Sequence, residues 1–199
     1  MANDEEEIDD IVDRAREGDQ AALGALYDRL GERLYRFAFF RLGNRADAED
    51  LTQRTFLKMI EALPRYQRRG TPFEAWFFRI ARNGLVDLVR ARRSHEPLEA
   101  LRAAPSAEIG PEAAAELASE FADVQGALSS LTDEQRTVIA YRFMAGLTPR
   151  EVGVVMGKRE GTVRGLQFRA IAALRRALGE GSTVEPSAPG KPAAEEHRP

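Results

Sequence analysis

The sequence predicts an all-α chain: two helical domains joined by a flexible acidic linker. Two observations carry the helical class. Apolar residues recur at three- and four-residue spacing through most of the chain, and no stretch alternates apolar with polar residues over the length of a strand. A third observation divides the chain. Glycine and proline punctuation falls where the charge changes sign, so the positions that break helices also separate blocks of opposite charge.

From Ile8 to about Leu42, the residues Ile8, Ile11, Val12, Leu23, Leu26, Tyr27, Leu30, Leu34 and Phe37 mark two or three helices, with Gly18 and Gly31 as the expected weak points. The next helix runs from about Ala46 to Leu63 and ends at Pro64, which has no amide hydrogen to continue it. Another spans about Pro72 to Arg93, and Pro97 closes the domain. Residues 97–111 set Pro97, Pro105 and Pro111 among Ala, Ser and Glu, too little apolar surface to offset the entropy of ordering. A helix from about Glu112 aligns Leu117, Phe121, Val124 and Leu128 on one stripe. Thr132 is placed to cap a helix through about Met144, which Gly146 ends. Thr148-Pro149 followed by Glu151 combines a cap, a first-turn proline and an acid three residues on. Gly157 stops that short helix, and a last one spans about Glu160 to Leu178. The domains expected are therefore 1–95 and 112–178, with a linker over 96–111 and a disordered tail over 179–199.

Composition excludes several classes. The 199 residues contain no cysteine, which removes disulfides, thiolate metal sites and cysteine nucleophiles. With His95 and His197 as the only histidines, a histidine-based metal or catalytic centre has no ligand set, and no cofactor is expected. The acidic N-terminus is unlike a secretory signal, and no apolar run approaches the roughly 18 residues of a membrane span. The expectation is a cytoplasmic protein that does not enter a membrane.

The formal charge of −3 conceals strong segregation. Residues 1–28 hold ten acidic and two basic side chains, whereas 29–95 hold fifteen basic and seven acidic, net +8. Residues 96–134 are acidic by nine to one, and 135–178 hold nine basic and two acidic side chains, net +7. Two basic blocks suit a polyanionic partner, and the acidic stretches would restrain indiscriminate DNA binding by the free protein.

A short capped helix, a glycine turn and a longer basic helix form the helix-turn-helix pattern. On the last helix Val163, Leu166, Ala170, Leu174 and Ala177 share one face and leave Arg164, Phe168 and Arg175 opposite, flanked by Glu160 and Gln167. Arg164 and Gln167 have the chemistry for base edges, and Phe168 for a thymine methyl or a partner protein. Lys158, Arg159, Arg169, Arg175 and Arg176 suit phosphates, and Thr162 completes the set of candidate duplex contacts. An ordinary amphipathic helix with a merely solvated charged face would show the same periodicity; the capped short helix and turn favour DNA.

In the N-terminal block Asp47, Glu49 and Asp50 read either as metal ligands of an all-helical phosphohydrolase or as an acidic helix start favoured by the helix dipole. The metal reading lacks a second acidic cluster or a usable histidine. Residues 46–59 together with 72–83 resemble the second conserved region of bacterial RNA polymerase sigma factors of the extracytoplasmic-function (ECF) subfamily, and the C-terminal block resembles the fourth. The resemblance covers about 8–93 and 112–178, with two separate motifs in the family's order.

The resemblance implies a region 2 helical bundle and a region 4 helix-turn-helix, with no catalytic residues. The helix bearing Asp47, Asp50, Gln53, Arg54, Phe56 and Met59 would dock on a coiled coil of the polymerase β′ subunit; Arg54 stands where the family usually has an acidic residue. An acidic, amide-bearing face around an apolar anchor suits a basic partner. The loop 64–71 and the helix after it would open and read the promoter minus-ten element through Tyr66, Arg68, Arg69, Arg79, Arg82, Asn83 and Arg90, as single strands are held by cationic grooves and aromatic rings. Phe73, Trp76, Phe77 and Ile80 read chiefly as core. The C-terminal domain would read duplex DNA near minus thirty-five, and the linker would thread the RNA-exit path. Implied partners are the polymerase core, through the β′ coiled coil and the β subunit, promoter DNA, and an anti-sigma factor of the kind common in the family. The alternative is a helix-turn-helix regulator whose N-terminal domain senses a ligand or partner.

Overall fold

Asp19 starts the main helix of the first domain: its carboxylate accepts from the amides of Ala21 and Ala22 at 2.8 and 3.3 Å, just after Gly18 has ended the preceding helix at φ 91°. The computed structural model describes residues 2–68, 70–95 and 126–179. Helix α1 spans Ala2–Arg16 and α2 spans Gln20–Leu42. Gly31, expected as a weak point, lies within the unbroken α2. Leu30 and Leu34 on either side are fully buried, and that packing outweighs the roughly 1 kcal/mol a mid-helix glycine costs relative to alanine.

Gly43, at φ 65°, closes α2, and the Asn44 side chain caps α3 (Arg45–Ala62) by accepting from the Asp47 amide. One 3-10 turn over Leu63–Arg65 leads to the loop before α4 (Phe73–His95). Leu26, Leu51, Met59 and Phe77 meet in the core of this bundle. Gly84 lets α4 lie close on α3, since a Cβ there would stand 2.8 Å from Leu51 Cδ1.

In the second domain Thr132 and Gln135 form the capping box of α5 (Asp133–Ile139). The expected helix through Met144 is present, but its last turn over Ala140–Met144 is π-helical and closes with an Ala145 amide to Ala140 carbonyl bond of 3.0 Å. Thr148 and Glu151 form a second capping box on α6 (Pro149–Met156). Gly157, at φ 67°, turns the chain into α7 (Glu160–Ala177). Gly153 is required by that turn: a Cβ would stand 2.7 Å from the Lys158 carbonyl oxygen.

The two domains share one apolar core. Tyr141, from the π-helical turn, stacks on Phe37 of α2 at 4.7 Å between ring centres and meets Phe78 of α4 edge-on at 6.4 Å. Arg33 grips Glu74 at 2.6 Å and donates from Nε to the Ala145 carbonyl at 2.7 Å, joining α2, α4 and the second domain. Arg41 donates to the Thr137 hydroxyl at 3.0 Å. No strand occurs among the described residues. The expected linker over 96–111, the helix from Glu112 up to residue 125, and the tail from residue 180 lie outside them. Residues 126–129, described next, form a helical turn.

Candidate polymerase and nucleic-acid interfaces

Three surfaces gather the residues expected to act. On α3, Asp50 is half-buried and Gln53 and Arg54 are exposed, with Arg54 paired to Asp50 at 2.8 Å one turn away. Asp47 is half-buried in the first turn. Phe56 and Met59 are not on this face: they are 7% and 1% exposed and pack inward, Phe56 against Tyr27 and Phe77 at 4.9 and 5.1 Å. The exposed apolar residues are instead Leu57, at 61%, and Ile60, at 45%. The helix explains the exchange. At about 100° per residue, Leu57 lies within about 20° of Asp50 and Ile60 within about 80°, whereas Phe56 and Met59 are about 120° and 180° away.

On α4, Arg79, Arg82, Asn83 and Arg90 are all exposed, at the three- and four-residue spacing that puts them on one side of the helix. Arg79 also donates to the Val154 carbonyl of α6 at 3.1 Å. The loop differs from expectation at Tyr66. Its ring is 4% exposed, set among Phe73 and Trp76 at 5.4 and 4.8 Å, and its hydroxyl donates to the Thr71 carbonyl at 2.9 Å. Burial, reinforced by the charge of Asp9, pushes its pKa up to about 12. Tyr66 is therefore a loop anchor in this arrangement and not an open stacking platform, and Trp76 belongs to the same aromatic cluster. Arg68 is held by α1 through Asp13 at 2.5 Å and Asp9 at 3.5 Å. Arg69 lies outside the described residues.

On α7, Val163, Leu166 and Ala170 are buried, leaving Arg159, Glu160, Thr162, Arg164, Phe168 and Arg169 exposed. Arg164 pairs with Glu160 at 2.7 Å, and Phe168 is 72% exposed, the most open large apolar side chain described. Lys158 and Gln167 are half-buried. Lys158 pairs with Glu134 at 2.7 Å, and the Gln167 side-chain oxygen accepts from Arg142 Nε at 3.0 Å. Gln167 thus stands at the edge of the recognition face, oriented by a neighbour on the π-helical turn.

Residues 26–95 match Sigma-70 region 2, and residues 127–176 match Sigma-70 region 4. The chain belongs to the ECF RNA polymerase sigma factors. It is 36% identical over 175 residues to the ECF RNA polymerase sigma factor ShbA of Streptomyces griseus subsp. griseus, covering 83% of this chain and 92% of that protein. It is 34% identical over 171 residues to BldN of Streptomyces coelicolor, covering 85% of this chain and 65% of BldN, so it spans less than two thirds of that relative's length. Among solved structures, CnrH in complex with the cytosolic domain of CnrY resembles it with a TM-score of 0.65 at 30% identity, over 86% of this chain and 97% of that one.

Within this ECF factor, α1 precedes the matched part of region 2, yet it supplies the acids that hold the region 2 loop. Among the described residues no group of three or more His, Cys, Asp or Glu is arranged to hold a metal ion, and no helix is long and apolar enough to cross a membrane. On α3 itself Asp47 stands in the capped first turn, Glu49 pairs with Arg45 at 2.9 Å and Asp50 with Arg54 at 2.8 Å.

Proposed function

We propose that this ECF sigma factor recruits core RNA polymerase through α3, engages the minus-ten element through α4 and the preceding loop, and reads the minus-thirty-five element with α7. The observation that carries this reading is the pairing of an exposed cationic and amide face on α4, in region 2, with a helix-turn-helix whose recognition face is open, in region 4. Base-directed chemistry on α7 falls to Arg164 and Gln167, phosphate contacts to Arg159 and Arg169, and Phe168 supplies an apolar contact. On α3 the docking set becomes Asp50, Gln53, Arg54, Leu57 and Ile60: polar groups around an apolar anchor.

The spacing of the two elements requires the domains to part. Their centres lie about 25 base pairs from one another, roughly 85 Å of duplex at about 3.4 Å per step. The packed domains, with a radius of gyration of about 15 Å for a body of this size, cannot touch both. The residues between His95 and Gly126 have contour for about 100 Å, enough to join separated domains. The closed arrangement is thus the form of the factor away from promoter DNA. An anti-sigma factor is the further partner of this reading, and the similar CnrH was solved in complex with the cytosolic domain of CnrY. The polymerase β subunit would receive region 4, and the factor would act in the cytoplasm.

The docking assignment is tested by competition for purified core polymerase. Leu57→Asp and Asp50→Arg are expected to weaken core binding at least tenfold while leaving helicity and melting temperature near wild type. Met59→Ala should instead lower the melting temperature, as a buried truncation does. Unchanged core binding by both α3 surface variants would remove the assignment.

A further inference from the structure

Helix α1 lies outside the residues that match region 2, but its acidic side is turned onto the loop that region 2 would offer to DNA. Ile8, Val12 and Ala15 are buried and fix the helix on the bundle, which determines where its carboxylates fall. Asp13 meets Arg68 Nη2 at 2.5 Å, Asp9 meets Arg68 Nε at 3.5 Å, and the Asp9 carbonyl accepts from Arg68 as well. Three acceptors from one helix thus occupy a single loop guanidinium. The loop itself is pinned beside this contact, with Tyr66 buried and its hydroxyl on the Thr71 carbonyl. A cleft of about 230 Å³ opens at the same place, lined by Ile8, Asp9, Arg29, Arg68 and Arg150 among others.

We propose that Asp9 and Asp13 act as an internal stand-in for DNA phosphate, so that Arg68 reaches a promoter strand only when those two carboxylates release it. The proposal rests on the reading of the 66–71 loop as a DNA-contacting element. A carboxylate pair and a phosphate offer a guanidinium the same anionic oxygens at the same distances, so the two compete for one site. Phosphate contacts carry no sequence information. Masking one of them lowers the affinity for arbitrary DNA and leaves a larger share of binding to base contacts. The effect is limited in size because Arg68, Asp9 and Asp13 are 40, 38 and 51% exposed and the pair is screened by solvent.

The test uses the full chain and a fluorescein-labelled single-stranded oligonucleotide of mixed sequence, titrated over a range of salt concentrations. The Asp9→Asn/Asp13→Asn variant is expected to bind about two- to fivefold more tightly at low salt. Its logarithmic salt slope should be steeper by about 0.7, the value of one added phosphate contact on a single strand. Adding Arg68→Gln should abolish the gain. Asp10→Asn, which removes a charge from an exposed site on α1 without touching Arg68, should give a smaller gain. No gain in the double variant, a gain that survives Arg68→Gln, an equal gain from Asp10→Asn, or no oligonucleotide binding by any form would each overturn the proposal. Core-polymerase binding by the same preparations reports separately on the sigma-factor reading: its loss with the oligonucleotide pattern intact would overturn that reading alone.

Discussion

Tyr141→Ala is the sharpest perturbation of the closed arrangement. The side chain is 1% exposed, stacks on Phe37 at 4.7 Å and meets Phe78 edge-on at 6.4 Å, so both of these ring contacts cross between the domains. Removing a buried aromatic ring costs about 3–5 kcal/mol, and the lower figure already shifts an equilibrium more than a hundredfold. Thr137→Val provides a graded comparison. It removes the acceptor for Nη1 of the half-buried Arg41, whose Nε is buried and unpartnered among the described residues, and a lost bond to a charged group costs about 1.5–3 kcal/mol. Because the chain contains no cysteine, spin labels can be placed on Gln53→Cys and Arg175→Cys, both exposed and away from the Tyr141 contact, without removing native thiols. Pulsed EPR should give one short distance distribution for the otherwise native chain, a broad and longer one with Tyr141→Ala, and a mixture with Thr137→Val. Circular dichroism checks that helicity is kept. An unchanged short distance in the Tyr141→Ala protein, with helicity intact, would refute the claim that this ring joins the domains.

Two further outcomes are expected. Gly153→Ala should lower the melting temperature by several degrees, because the new methyl meets the Lys158 backbone carbonyl at 2.7 Å, whereas Gly84→Ala should lower it less, since its 2.8 Å neighbour is the movable end of Leu51; equal melts by circular dichroism would contradict this. Tyr66 should ionise near pH 12, and since its folded pKa lies above the ordinary value near 10, the stability it lends is complete below about pH 10 and is lost as the pH rises toward 12. The ultraviolet difference titration between wild type and Tyr66→Phe reads it directly, and ionisation at the ordinary value would contradict the burial.

Local chemistry was readable in the sequence wherever one residue decides the outcome. Thr132, Thr148, Gly18 and Gly157 each cap or break a helix as their side chains dictate, and the structure places them so. Register was less readable when residue type was allowed to override angle. Phe56 and Met59 are attractive as apolar anchors, but their rotation from Asp50 sends them into the core, and the same arithmetic would have found Leu57 and Ile60. Tyr66 illustrates a second limit. A tyrosine in a basic loop resembles a stacking platform until Phe73 and Trp76, one turn into α4, close around it. Non-local contacts were out of reach altogether. Nothing in the periodicity of α2 or of the second domain pairs Phe37 with Tyr141, or Arg33 with the Ala145 carbonyl. The acidic N-terminus was legible as charge, while its grip on Arg68 depends on which side of α1 the buried Ile8 and Val12 leave exposed.

The central claim, that this ECF factor programs RNA polymerase, is tested most directly by run-off transcription with purified core polymerase on fragmented DNA of the source genome. The account predicts discrete transcripts whose start sites share motifs near minus ten and minus thirty-five, lost with Leu57→Asp through failed assembly and with Arg164→Ala through failed minus-thirty-five reading. Transcripts no different from those of core polymerase alone would contradict it.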